Sequence, residues 1–178
     1  MLGFTFVKML IVILVLLVII VMVNRHIIID DDIREQEAHI LISSLFTHPY
    51  GPSFYDEDIG RMYPYTIDSD FFRGNPDEKM EEIFYYSTDE PHVSIKVELL
   101  SMSDDYYEHT TDIKPYDEEL EPAYLHERQY NAWSGIASTE AVGPGSILEE
   151  EKLYFVNIVD NGQKNKGIIR VVVLLMRI

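Results

Sequence analysis

The chain has 178 residues, 31 acidic and 14 basic, for a net charge of −17. With no cysteine it holds no disulfide, thiolate metal site or cysteine nucleophile, and a domain this acidic repels phosphate, which argues against nucleic acid as a partner. An aromatic content of 12% argues against disorder and suits one packed domain after the N-terminal segment.

Residues 4–23, opened by Phe4 and closed by Val23, are apolar on every side. Twenty helical residues rise about 30 Å, the hydrocarbon thickness of a bilayer. Lys8 is the one charge, near an end where its long stem reaches the headgroups. From Met9 to Val23 no side chain is polar. A cleaved signal peptide is disfavoured, since no small-residue cut site follows Val23. A buried core helix is disfavoured too, because a domain of this size has no interior to cover one. The expected anchor is a single-pass helix in the lipid bilayer of the cell membrane. Local positive charge is nearly balanced between Lys8 and Arg25, so orientation rests on chain logic. A short start makes the anchor itself the targeting signal, with the N-terminus cytoplasmic and the acidic remainder outside.

After Met1 and Leu2, Gly3, Phe4, Thr5 and Phe6 lead into the apolar run. This start resembles type IV pilins and pseudopilins. The resemblance implies cleavage between Gly3 and Phe4 and a helix packed in a filament core. Lys8 stands where that family usually carries glutamate.

Residues 26–178 are expected to form an acidic α+β domain. Asp32 with Glu35 reads as a capping box opening a second, amphipathic helix that runs to Phe46 and is stopped by Pro49, Gly51 and Pro52. Residues 49–91, dense in turn formers and aromatics, read as ordered but irregular, with a short helix or strand from Lys79 to Tyr86. Val93, Ile95, Val97 and Leu99 alternate with polar residues, the pattern of a half-buried strand. Residues 103–122 read as an exposed acidic excursion, and 124–136 as either helix or strand. Residues 152–159 and 168–175 read as a hairpin around a loop longer than two residues. The second of these strands, apolar on both faces except at Arg170, is placed centrally in a mainly antiparallel sheet.

Tyr55, Asp56, Asp58, Gly60, Arg61, Tyr63, Pro64, Ile67 and Asp68, together with Tyr130, Asn131, Ala132 and Trp133 and the 141–146 stretch, resemble blocks of archaeal single-pass membrane proteins, some with pilin-like starts. The resemblance implies an envelope protein with its domain outside the cytoplasm and carries no activity with it.

Asp56 and Asp58 in the acidic turn ending at Gly60 are the candidate Ca²⁺ ligands, against a plain Asx-type turn favoured by the same residues. No other cofactor is expected. Asp68 with Asp70, and Glu118, Glu119 and Glu121, supply carboxylates without any sign of the burial that acid–base work needs. The six histidines have neither HxH nor HExxH spacing. Gly143, Pro144, Gly145 and Ser146 read as a turn, not a phosphate loop. Tyr85, Tyr86, Tyr106 and Tyr107 suit either a recognition surface or the closure of a small core. The expectation is a non-catalytic envelope protein with a structural or interaction role among other membrane or envelope proteins. The alternative is a minor pilin-like or pseudopilin-like subunit of a type IV filament or secretion system. A membrane-tethered enzyme using carboxylates or Ca²⁺ is the third class.

Overall fold

A computed structural model describes residues 2–84, 92–101, 114–139 and 145–176, with side chains except at 2–5, 7 and 26–32. The chain divides into two compact units, Met1–Gln36 and Glu37–Ile178.

The first unit is helical. It belongs to α1, Leu2–Thr47. Within it Lys8–Arg25 has a mean hydropathy of 2.6 with none of that stretch buried, so one helix is long and apolar enough to cross a membrane. Met9 is 63% and Val23 54% exposed, which no side chain of a water-soluble core would be. The Gly3–Phe4 pair lies in the first turns of α1. The separate second helix is not seen: residues 26–34 are helical, and α1 has no start at Asp32 for a capping box to serve. The stretch lacks the proline or glycine that would break a helix. The expected stop holds, since α1 ends at Thr47.

The second unit is α+β. Its elements are the last turns of α1, β1 (Ser53–Asp56), β2 (Arg61–Asp68), a 3-10 turn (Ser69–Phe72), α2 (Pro76–Ile83), β3 (Val93–Ser101), β4 (Ala123–Leu125), α3 (Glu127–Ala137), β5 (Ile147–Asp160) and β6 (Gln163–Met176). The described strands form one sheet in the order β1-β2-β5-β6-β3-β4. The sheet is mixed, because β2 meets β5 parallel at Thr66, Ile67 and Asp68 while the other pairings are antiparallel. The parallel pair follows from the long excursion between β2 and β5, which includes two helices and two strands.

Strand β6 lies between β5 and β3, as its apolarity predicts, and from 168 to 175 only Arg170 escapes full burial. The loop expectation needs correcting. Asn161 (φ 49°) and Gly162 (φ 77°) alone turn the chain, and Asp160 pairs with Gln163. Two consecutive left-handed residues make the tight turn whose twist matches antiparallel strands. The polar residues 163–166 are therefore strand, paired back to 157–160.

Two cores flank the sheet. On one face Ala38, Leu41, Ile42, Leu45 and Phe46 of α1 pack with Met80, Ile95, Val171 and Val173. Their helical spacing sets one stripe of the helix against the sheet. On the other face Trp133 of α3 packs with Ile147, Val172 and Leu174. Ser94, expected on an exposed face, is fully buried and donates to the carbonyl of Leu125 at 2.9 Å.

Candidate functional site

The region expected to be irregular forms a cleft of about 640 Å³. Its construction starts where α1 stops. Gly51 sits so close to the helix end that an added Cβ would lie 2.2 Å from the Leu45 carbonyl oxygen. Ser53, buried at the start of β1, donates to the Phe46 carbonyl at 2.8 Å. The amide of Asp68 donates to the Pro52 carbonyl at 2.9 Å. These contacts bring Tyr50, Tyr55 and Glu57 into one cleft with Asp68, Asp70 and Glu82.

The charges in the cleft are unequal in what remains available. Lys79 donates to the carbonyls of Asp70 (2.9 Å), Phe71 (3.0 Å) and Arg73 (3.3 Å), which uses all three of its donors. Asp68 caps the 3-10 turn by accepting from the Asp70 amide at 3.0 Å. Asp70 pairs with Arg73 at 2.6 Å. Each candidate acid–base residue is thus engaged locally, and neither is buried. Glu57 and Glu82 are exposed beside Tyr50 and Tyr55. Exposed carboxylates beside aromatic rings are suited to holding a cationic group or a hydroxyl-rich ligand. They lack the desolvation that proton transfer at neutral pH requires.

Arg73 fastens the 3-10 turn to the sheet. Its guanidinium reaches Asp160 at 2.8 Å, and Ser69 donates to the same carboxylate at 2.8 Å. The Arg73 and Ser69 hydrogen bonds hold the Asp160 carboxyl below its ordinary range.

Asp56 and Asp58 lie in the β1–β2 turn. The Asp58 amide donates to Asp56 Oδ1 at 3.1 Å, and Gly60 takes a left-handed φ of 63°. Asp56 thus makes the Asx-type turn, and Arg61 lies over the Tyr63 ring, 5.2 Å from its centroid. Glu118 and Glu119 form a separate exposed turn in which Asp117 accepts from the Glu119 amide at 3.1 Å. Tyr85, Tyr86, Tyr106, Tyr107 and residues 140–144 fall outside the described residues.

Two features carry no sequence signal. Tyr65 has a φ of 63° within β2, where the register jumps from Ser53↔Ile67 to Phe54↔Tyr63. The bulge aims its ring at Phe46 (5.5 Å) and Tyr154 (5.8 Å). Burial raises the Tyr154 phenol pKa, with Tyr65 adding to the effect. His126 is also left-handed, at φ 60°, and its Nε2 is buried without a hydrogen-bond partner among the described residues. Burial pushes its imidazole below the usual 6.5, against the pull of Glu81. Comparison with protein-family models, with curated proteins and with solved structures found no match.

Proposed function

We propose that the protein is a single-pass membrane protein of the cell envelope, with its N-terminus cytoplasmic and its acidic α+β domain outside. Its role is structural or interactive, not catalytic. The observation that carries the reading is Lys8–Arg25, apolar enough to span a bilayer and nowhere buried. A helix with no buried side chain in water is unfavourable by about 25 cal/mol for each Å² of apolar surface, and lipid removes that cost. The domain does not need this segment for its own interior, because among the described residues every buried one lies at position 38 or later. The cleft supports binding over catalysis, since its carboxylates are exposed or spent on caps and ion pairs.

The test is extraction and protease accessibility. The full chain should stay in the membrane pellet after alkaline carbonate. A chain lacking residues 1–36 should be soluble and folded, with the same emission from Trp133. Protease outside intact spheroplasts should digest the domain. Full-length chain in the carbonate supernatant would refute the anchor, and protection of the domain in intact cells would reverse the orientation. The minor pilin-like reading shares the uncovered apolar helix and resembles that family at Gly3 and Phe4. The mass of the mature chain separates the two, because prepilin processing leaves Phe4 first and an ordinary anchor does not.

A further inference from the structure

Strand β5 has one complete neighbour and one partial neighbour. It pairs with β6 along its whole length but with β2 only at Asn157, Ile158 and Val159. Among the described residues, no strand lies against its outer edge from 147 to 156. From Leu148 to Phe155 no residue is buried, whereas the facing part of β6 is buried except at Arg170.

The direction of the backbone groups follows from the turn. A two-residue hairpin loop makes its flanking residues, here Asp160 and Gln163, a hydrogen-bonded pair. The antiparallel register continues without a shift to Ile147. Even-numbered residues of β5 therefore bond to β6, and odd-numbered ones turn their N–H and C=O groups outward. Three of the latter, Glu149, Glu151 and Leu153, are exposed and form no outward backbone hydrogen bond among the described residues. Together they offer a row of donors and acceptors at the spacing of a β-ladder.

Charge selects the occupant. Glu149, Glu150 and Glu151 stand in succession on this edge; Glu150 pairs with Lys152 at 2.5 Å and Glu151 with Arg170 of β6 at 2.9 Å, so three carboxylates meet two cations there. A second copy paired antiparallel about Glu149, Glu150 or Glu151 would set glutamates against one another, and like charges directly opposite destabilise a sheet. Each copy also carries a net charge of −17. The same carboxylates that repel an acidic strand attract a basic one.

We propose that the open edge of β5 between Ile147 and Leu153 accepts an extended lysine- or arginine-bearing segment of a partner protein as an added strand. Backbone hydrogen bonds to Glu149, Glu151 and Leu153 supply the docking, and the glutamate side chains supply the selection. This goes beyond the anchoring role and does not depend on the orientation of the domain.

The test uses the full chain in detergent and three dye-labelled synthetic peptides of equal length. One alternates Lys with Val, one Lys with Pro, and one Glu with Val. By fluorescence anisotropy the Lys-Val peptide should bind saturably, the Lys-Pro peptide at least tenfold more weakly, and the Glu-Val peptide not at all. The Lys-Val peptide should slow hydrogen exchange at the amides of Glu149, Glu151 and Leu153 but not at Lys152, whose amide already faces β6. Leu153→Pro removes one outward donor and leaves the β6 ladder whole, so it should weaken binding at least tenfold with Trp133 emission unchanged. Lys-Pro binding within threefold of Lys-Val would reduce the effect to charge alone and overturn the proposal. Absence of saturable Lys-Val binding, protection elsewhere in the domain, or self-association through this edge would do the same.

Discussion

Val172 and Val173 are adjacent, equally buried and on opposite faces of the central strand, so one acidic substitution tried at each position tests the whole layer arrangement. Val173 is 0% exposed, lies in the main core and is flanked in register by Ile95 and Glu150. Loss of its apolar burial costs about 2 kcal/mol. Holding an aspartic acid neutral at pH 7, against an ordinary pKa of about 3.9, costs about 1.36 kcal/mol per pH unit, or roughly 4 kcal/mol. Val173→Asp should therefore lose about 6 kcal/mol, much of the roughly 5–15 kcal/mol a domain has. Val172, 1% exposed, is flanked by Lys96 and Glu151. Burial lowers the Lys96 pKa but its bond to Glu98 raises it further, so this lysine is charged. A charge-assisted hydrogen bond to it offsets roughly 1.5–3 kcal/mol, which leaves Val172→Asp at about 3–5 kcal/mol. Urea unfolding of the full chain in detergent, followed by Trp133 emission and far-UV circular dichroism, measures both. The new carboxyl at 173 would have a raised folded pKa, so its penalty is absent below about 3.9 and grows with pH up to that folded value. At pH 5 the Val173→Asp deficit should be smaller than at pH 7 by about 2.7 kcal/mol. Either variant within about 1 kcal/mol of the parent, or Val172→Asp the worse of the two, would refute the assignment of faces.

Asp160→Asn should cost about 0.5–1.5 kcal/mol at pH 7, the value of a half-exposed charged hydrogen-bond pair after solvent screening. Because Arg73 and Ser69 depress the Asp160 pKa below 3.8, that stability is present above 3.8 and lost as pH falls through the folded value. Urea midpoints between pH 5 and 3 should fall more steeply for the parent than for the variant, and parallel curves would count against the clamp. Gly51→Ala should cost at least about 1–3 kcal/mol, since its Cβ meets the Leu45 and His48 carbonyl oxygens at 2.2 and 3.0 Å, both backbone. Gly135→Ala in α3 meets nothing within 4 Å and should stabilise by about 0.5–1 kcal/mol, so thermal melts of the two should move in opposite directions.

The parts of the fold that depend on one uninterrupted stretch of chain are legible in the sequence. The apolar run at Lys8–Arg25 needs only its length and composition to be read as a span. The alternation at Val93, Ile95, Val97 and Leu99 and the doubly apolar 168–175 identify β3 and the central β6. The Asp56 turn is legible too, because an Asx turn is made by neighbours. What stays hidden depends on distance along the chain. Tyr50, Tyr55, Asp68 and Glu82 meet in one cleft because Gly51 hugs the helix end and β1 folds back on β2, and no spacing records that. Strands β1 and β2 carry no clear pattern because one is four residues long and the other holds Pro64 and the left-handed Tyr65.

Charge obscures the start of β5 for a physical reason. The glutamates at 149–151 have the composition of a solvated face, so the sequence pattern begins the strand at Lys152, yet it begins at Ile147. Burial does alternate from 148 to 155, half-buried at even positions and exposed at odd ones, but Glu150 and Lys152 put charge on the half-buried face, so the sequence shows no apolar alternation there. The backbone there is extended because β6 pairs with every residue of it, not because its own side chains favour a sheet. The same reasoning accounts for residues 163–166, polar and exposed, which are strand because they face 157–160 across the Asn161–Gly162 turn. In both places the partner strand supplies the ordering free energy, so a charged sequence keeps its solvation and its ladder together. That combination leaves Glu149, Glu151 and Leu153 extended, exposed and half-bonded, the condition a further strand requires.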